Sequence, residues 1–146
     1  MNDSRAQLQP AVLLFLLSIL LFLAYGCGGS QPETRNALVF SKTTKYRHAS
    51  IEDGKKMFIR LAEEKGFHVD TTEDASVFTQ ENLSKYNLIV FLSTTGDILN
   101  EAQKIEMERL MKAGGNWMGI HAAADTEYKW PWYNKLCGAW FLSHPK

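Results

Sequence analysis

Asn87–Ser93 (NLIVFLS) holds five consecutive apolar residues between polar flanks. A run this short, rich in branched and aromatic side chains, predicts a strand buried on both faces. Asn36–Ser41 (NALVFS) is a similar apolar run, while Phe67–Asp70 (FHVD) and Asn116–Ile120 (NWMGI) read as short strands. Between the first two, Ile51, Gly54, Phe58, Leu61 and Ala62 recur at helical spacing, which predicts a helix over 51–65. Ser50 with Asp53 forms a candidate capping box at its start, and Gly66 suits a left-handed cap at its end. A second helix is predicted after Asn100, with Gln103 completing its box, Met107, Leu110, Met111 and Gly114 facing inward, and Gly114-Gly115 as its stop. The polar stretch Thr71–Tyr86, anchored by Phe78 and Leu83, reads as a loop with one helical turn. Pro131–Leu136 suits a short helix, and Gly138–Leu142 (GAWFL) a fifth strand. Strands separated by long crossovers pair in parallel. The expected fold is therefore α/β: a parallel sheet wrapped by helices.

The N-terminal part is of another kind. No charged residue occurs from Ala6 to Pro32, and Ala11–Tyr25 is apolar except for Ser18. As a helix this run reaches about 22 Å, short of the roughly 20 residues that a bilayer core requires. It fits the apolar region of a secretory signal behind Arg5. Leu23-Ala24-Tyr25-Gly26-Cys27 resembles a bacterial lipoprotein signal, in which cleavage precedes the cysteine and lipid is attached to it. Residues 1–26 are then the signal, 27–35 a flexible tether through Gly28-Gly29-Ser30, and 36–146 the folded domain. The expected location is the bacterial cell envelope, outside the cytoplasm, with the chain held to the membrane through lipidated Cys27. An uncleaved signal anchor is the alternative.

Charge narrows the partners. Lys and Arg total 16, as do Asp and Glu, for a formal net charge of zero. This balance lacks the basic footprint of a nucleic-acid binder. Two cysteines are too few for a disulfide framework.

In open parallel sheets, ligands bind outside the carboxyl ends of the strands. Three loops leave those ends: Lys42–Ala49, Thr94–Leu99 and His121–Trp130. They carry His48, Asp97, His121, Asp125 and Glu127, while His144 follows the expected fifth strand and His68 falls at the opposite rim. His48, His121 and His144 suit a divalent metal such as zinc, which often takes three protein ligands and keeps an open position. Separate hydrogen-bonded histidines are the alternative, since no tight ligand spacing such as HExxH occurs. Asp125 is a candidate acid/base group. The segment Glu127–Tyr133 (EYKWPWY) is dense in aromatics. Trp130, Trp132 and Tyr133 are candidates for stacking on a sugar ring; a loop covering the sheet is the other reading. The strand-to-helix elbow, where a nucleophile often sits, holds His121 in Gly119-Ile120-His121-Ala122-Ala123.

Tyr46-Arg47-His48, the run from Gly114 to Ala123 (GGNWMGIHAA), and Trp132-Tyr133 with the later Ser143-His144-Pro145 together resemble the ThuA-like (trehalose utilisation) family. The resemblance covers residues 36–146. It implies a flavodoxin-like open parallel sheet with helices on both faces, related to class I glutamine amidotransferases but without their cysteine nucleophile. It also implies a role in the use of disaccharides or keto-sugars, with a sugar as small-molecule partner and a sugar oxidoreductase as a possible companion in the same pathway. His48, His121 and His144 match family histidines. A hydrolase or lyase is one expectation, and a non-catalytic sugar-binding or structural lipoprotein domain is the other. Family domains are longer than this chain, so the sequence reads as the N-terminal part of one, with the sheet cut off after the fourth or fifth strand.

Overall fold

The computed structural model describes residues 35–145. The expected signal over 1–26, Cys27 and the tether as far as residue 34 lie outside the described residues. Among the described residues no helix is long and apolar enough to cross a membrane.

Four strands form one sheet: β1 (Asn36–Phe40), β2 (His68–Thr72), β3 (Leu88–Leu92) and β4 (Asn116–Ile120). Their order is β2-β1-β3-β4 and every pairing is parallel. The chain leaves the central β1 toward one edge, then returns to build β3 and β4 on the other side. That reversal places the crevice of an open α/β sheet at the carboxyl ends of β1 and β3.

Alternation along the central strands explains why both faces are covered. Val39, Val90 and Leu92 point to one face and pack with Phe58 of α1 (Ile51–Lys65). Leu38, Phe40, Ile89 and Phe91 point to the other. There they meet Leu83 of α2 (Gln80–Leu83), Met107 of α3 (Glu101–Lys112) and Tyr133 of α4 (Pro131–Cys137). Period-two side chains buried on both sides are what a helix-covered parallel sheet requires.

Local signals held in several places. The α1 helix has the expected bounds, and Gly66 closes it at φ 69°. Asn100 and Gln103 form the reciprocal capping box of α3. The polar stretch after β2 contains a 3-10 turn over Ala75–Val77 and then α2.

Three expectations are corrected. The Ser50 capping box does not form, because Ser50 already has helical dihedrals (φ −67°, ψ −9°) and Asp53 turns to Lys56 at 3.3 Å. Leu61 of α1 is among the exposed large hydrophobic residues, so the buried stripe is Ile51, Phe58 and Ala62. The fifth strand over Gly138–Leu142 is absent. Gly138 ends α4 in a left-handed conformation (φ 90°), and the chain then turns back across the end of β4. There Phe141 N–H donates to the Ala124 carbonyl at 2.9 Å, so the segment binds a turn and not a strand edge.

Candidate functional site

The loops after β1, β3 and β4 are laced together above the sheet. Thr44 N–H donates to the Thr95 carbonyl at 2.9 Å, and Thr95 Oγ1 donates to the Tyr46 carbonyl at 2.9 Å. Gly96 N–H donates to the Asp125 carbonyl at 2.9 Å, and Glu127 N–H returns to the Gly96 carbonyl at 3.0 Å. Gly96 has φ 76°, and a Cβ there would lie 2.3 Å from Thr44 Oγ1. Only glycine meets both demands, the left-handed backbone and the close approach.

His121 begins a 3-10 turn (His121–Asp125) directly after β4, with φ 54°. A left-handed non-glycine residue at a strand end is strained and is held by its surroundings. Beneath it, the Trp117 ring lies back along β4 so closely that a Cβ on Gly119 would meet it at 2.4 Å. The bend turns the His121 ring over the end of the sheet, where Nε2 stands 3.3 Å from His48 Nδ1. The two ring centroids are 4.4 Å apart at 72°. Tyr46 stands edge-on to His48 at 4.8 Å.

These side chains line a cavity of about 600 Å³ with Ala122, Ala124, Asp125, Phe141 and His144. Asp125 is steered by Tyr128, whose hydroxyl stands 2.6 Å from Asp125 Oδ1 and 2.7 Å from the Phe141 carbonyl oxygen. Burial, then the hydrogen bond to Asp125 and its charge, push the Tyr128 phenol up to about 12. Lys45 Nζ sits 5.0 Å over the same ring. His144 leans on Phe141 at 4.9 Å.

The structure thus gathers His48, His121, Asp125 and His144 on one cavity. It does not gather the expected aromatic set. Tyr133 is fully buried and donates to the Ala123 carbonyl at 2.8 Å. Trp130 is buried and stacks on Tyr133, and Trp132 stacks on Trp130 at 5.0 Å. Pro131 starts α4 and points these rings into the core, so the segment seals the sheet and does not face the cavity. The aromatic walls are Tyr46 and Phe141 instead. Tyr46 lies beside His48 in the motif already singled out, whereas Phe141 was hidden within the expected fifth strand. Three-ligand metal geometry is not assembled either: among the described residues no group of three or more His, Cys, Asp or Glu side chains is placed to hold a metal ion.

A cavity built from histidines at the switch point of a parallel α/β sheet, with no cysteine at the elbow, defines a class that comparison with known proteins makes specific. The model of the ThuA family, described by trehalose utilisation, matches residues 36–146. The chain belongs to that family, whose general role is in carbohydrate utilisation. It is similar to the crystal structure of a ThuA-like protein from Bacteroides uniformis, with 29% identity and a TM-score of 0.60. The match covers 77% of this chain and 48% of that one, so this chain spans about half the length of that solved relative. Among curated proteins none matches it.

Proposed function

We propose that the cavity binds a disaccharide or keto-sugar and that His48 and His121 move protons on it. The observation that carries this reading is the 3.3 Å approach of two imidazole nitrogens at the carboxyl end of the sheet. One neutral imidazole can accept a proton while its neighbour donates one, which is what general acid/base chemistry on a hydroxyl or carbonyl requires. Tyr46 and Phe141 offer flat faces to the C–H side of a sugar ring, and Asp125 offers a carboxylate to its hydroxyls. Titration of the protein with trehalose and a 3-keto-disaccharide, beside His121→Ala and His48→Ala, tests the reading. Saturable binding with turnover lost in both variants supports it. Turnover unchanged in both overturns it. Binding that survives both, with no turnover in any form, favours a sugar-binding module.

The same distance favours a second reading, a divalent cation. Two nitrogens on tetrahedral zinc, each at about 2.0–2.1 Å, lie roughly 3.3–3.4 Å apart. His48 and His121 fit two ligand positions, and a third is not gathered among the described residues. A cation held there would polarise a sugar oxygen. Metal analysis decides: zinc at one per chain that falls away in His121→Ala supports it, and metal-free protein with full turnover removes it.

The N-terminal sequence supports export and attachment at Cys27. Two acyl chains supply lasting anchorage where one does not. Cys27→Ser should release the protein from the membrane fraction, and unchanged retention there would refute lipid attachment. A sugar oxidoreductase acting before or after this step is the companion that keto-sugar chemistry calls for.

A further inference from the structure

Glu127 lines no part of the cavity, yet it is fully buried and has φ 53°. Its Oε1 accepts from Ile98 N–H and Leu99 N–H, each at 2.8 Å. Its Oε2 lies 3.0 Å from Lys104 Nζ of α3, an ion pair made by charge without an aligned hydrogen bond. Lys104 in turn sits 5.7 Å over the Trp130 ring, and Trp130 N–H donates to the Glu127 carbonyl at 3.0 Å.

We propose that Glu127 is a positioning residue for the site, a buried clamp that lets the loop after β3 hold the turn carrying His121 and Asp125. This rests on the reading that the cavity is the working site. Strained left-handed residues stand at both ends of that turn, His121 and Glu127. Such strain persists only where the surroundings over-determine it. At Glu127 the side-chain contacts all come from the loop after β3 and from α3, neither of which supplies a cavity wall. A buried carboxylate is costly unless its oxygens are met. Here the two oxygens are met by two different elements, so moving the turn would break both sets of contacts together. The backbone repeats the link, through Gly96 to Asp125 and back to Glu127. Thr126 Oγ1 adds a third tie by donating to the Thr94 carbonyl at 2.8 Å.

The test compares the parent protein with Glu127→Leu, Glu127→Asp and Glu127→Gln by NMR without sugar, and then by sugar kinetics. The parent should show a cross-relaxation peak between the His48 and His121 rings and slow exchange of the Ile98 and Leu99 amides. Glu127→Leu should keep the dispersed spectrum of the sheet, lose the peak, and speed exchange of the two amides by at least about tenfold. Glu127→Asp, too short to reach both amides, should behave alike. Glu127→Gln retains an acceptor and should restore the peak. In turnover, kcat should fall further than KM rises. A folded Leu or Asp variant with the ring-to-ring peak and kcat unchanged overturns the proposal. So does a Leu variant that fails to fold while Asp behaves as the parent. Should the parent bind no sugar, the functional reading fails, and the ring-to-ring peak still decides the clamp.

Discussion

His48 Nδ1 and His121 Nε2 meet at 3.3 Å although their strands, β1 and β4, do not pair. β3 lies between, and two strand spacings amount to about 9.6 Å. The rings therefore lean toward each other over the loop after β3, which must stay low and small. Gly96 is where it packs against Thr44 of the loop after β1. Gly96→Ala should destabilise the domain by about 1–3 kcal/mol, from the left-handed backbone and the collision with Thr44. It should also separate the two rings. A denaturant midpoint and ring contact equal to those of the parent would refute the role given to Gly96.

Arg47 tethers the loop carrying Tyr46 and His48 from outside. Its guanidinium spans both oxygens of Glu73 at 2.8 Å and reaches Glu52 at 2.7 Å. The hydrogen bond from Arg47 holds the Glu73 carboxyl below its ordinary range, with Lys55 adding to it. A lowered folded value means the stabilisation is present above the unfolded value, near 4.3, and is lost as pH falls through the folded one. Both side chains are substantially exposed, so the effect should stay under about 1 kcal/mol and shrink with salt. Glu73→Gln should lower the melting temperature at pH 7 and match the parent near pH 3. An equal difference at both pH values would count against the tether.

Much of this fold was legible because each element carries its own signal. The five-residue apolar run of β3, the helical spacing of α1 and the Asn100 box of α3 need no distant partner to be read. Ser50 carried the same local signal as Asn100 and failed, because its backbone is helical where Asn100 is extended. The histidines could be placed at strand ends, but not at 3.3 Å, since that distance depends on how the loops cross β3. Aromatic density at Glu127–Tyr133 marked importance without direction. Whether α4 turns its rings to the sheet or the cavity is settled by packing on Phe91 and Trp117, far off in sequence.

That packing separates core from site by experiment. Tyr133 donates to the Ala123 carbonyl in a fully buried setting. Tyr133→Phe leaves that carbonyl unmet and should cost about 1–2 kcal/mol in denaturant unfolding. Sugar affinity should hold. Tyr46→Ala should do the reverse, with little loss of stability, because Tyr46 is 68% exposed, and with weakened sugar binding. If Tyr133→Phe weakens binding as much as Tyr46→Ala, the core assignment of Tyr133 is wrong.

Tyr128 ties the last described segment to the site, since its hydroxyl lies within hydrogen-bond reach of both Asp125 and the Phe141 carbonyl and shares its one proton between these two acceptors. Tyr128→Phe should free Asp125 and loosen the segment bearing Phe141 and His144. Exchange of the Phe141 amide, which donates to Ala124, should quicken. Turnover should drop by about tenfold, as when a partner that orients a working group is lost. The sign of the pH effect follows from the phenol pushed up to about 12. A raised folded value gives stabilisation that is complete below the unfolded value, near 10, and is lost as pH rises through the folded one. Across that alkaline window the parent should lose stability relative to Tyr128→Phe, and the variant should lack one phenol titrating near 12 in ultraviolet absorbance. Two proteins with the same alkaline slope and the same Phe141 exchange would show that the hydroxyl holds neither partner.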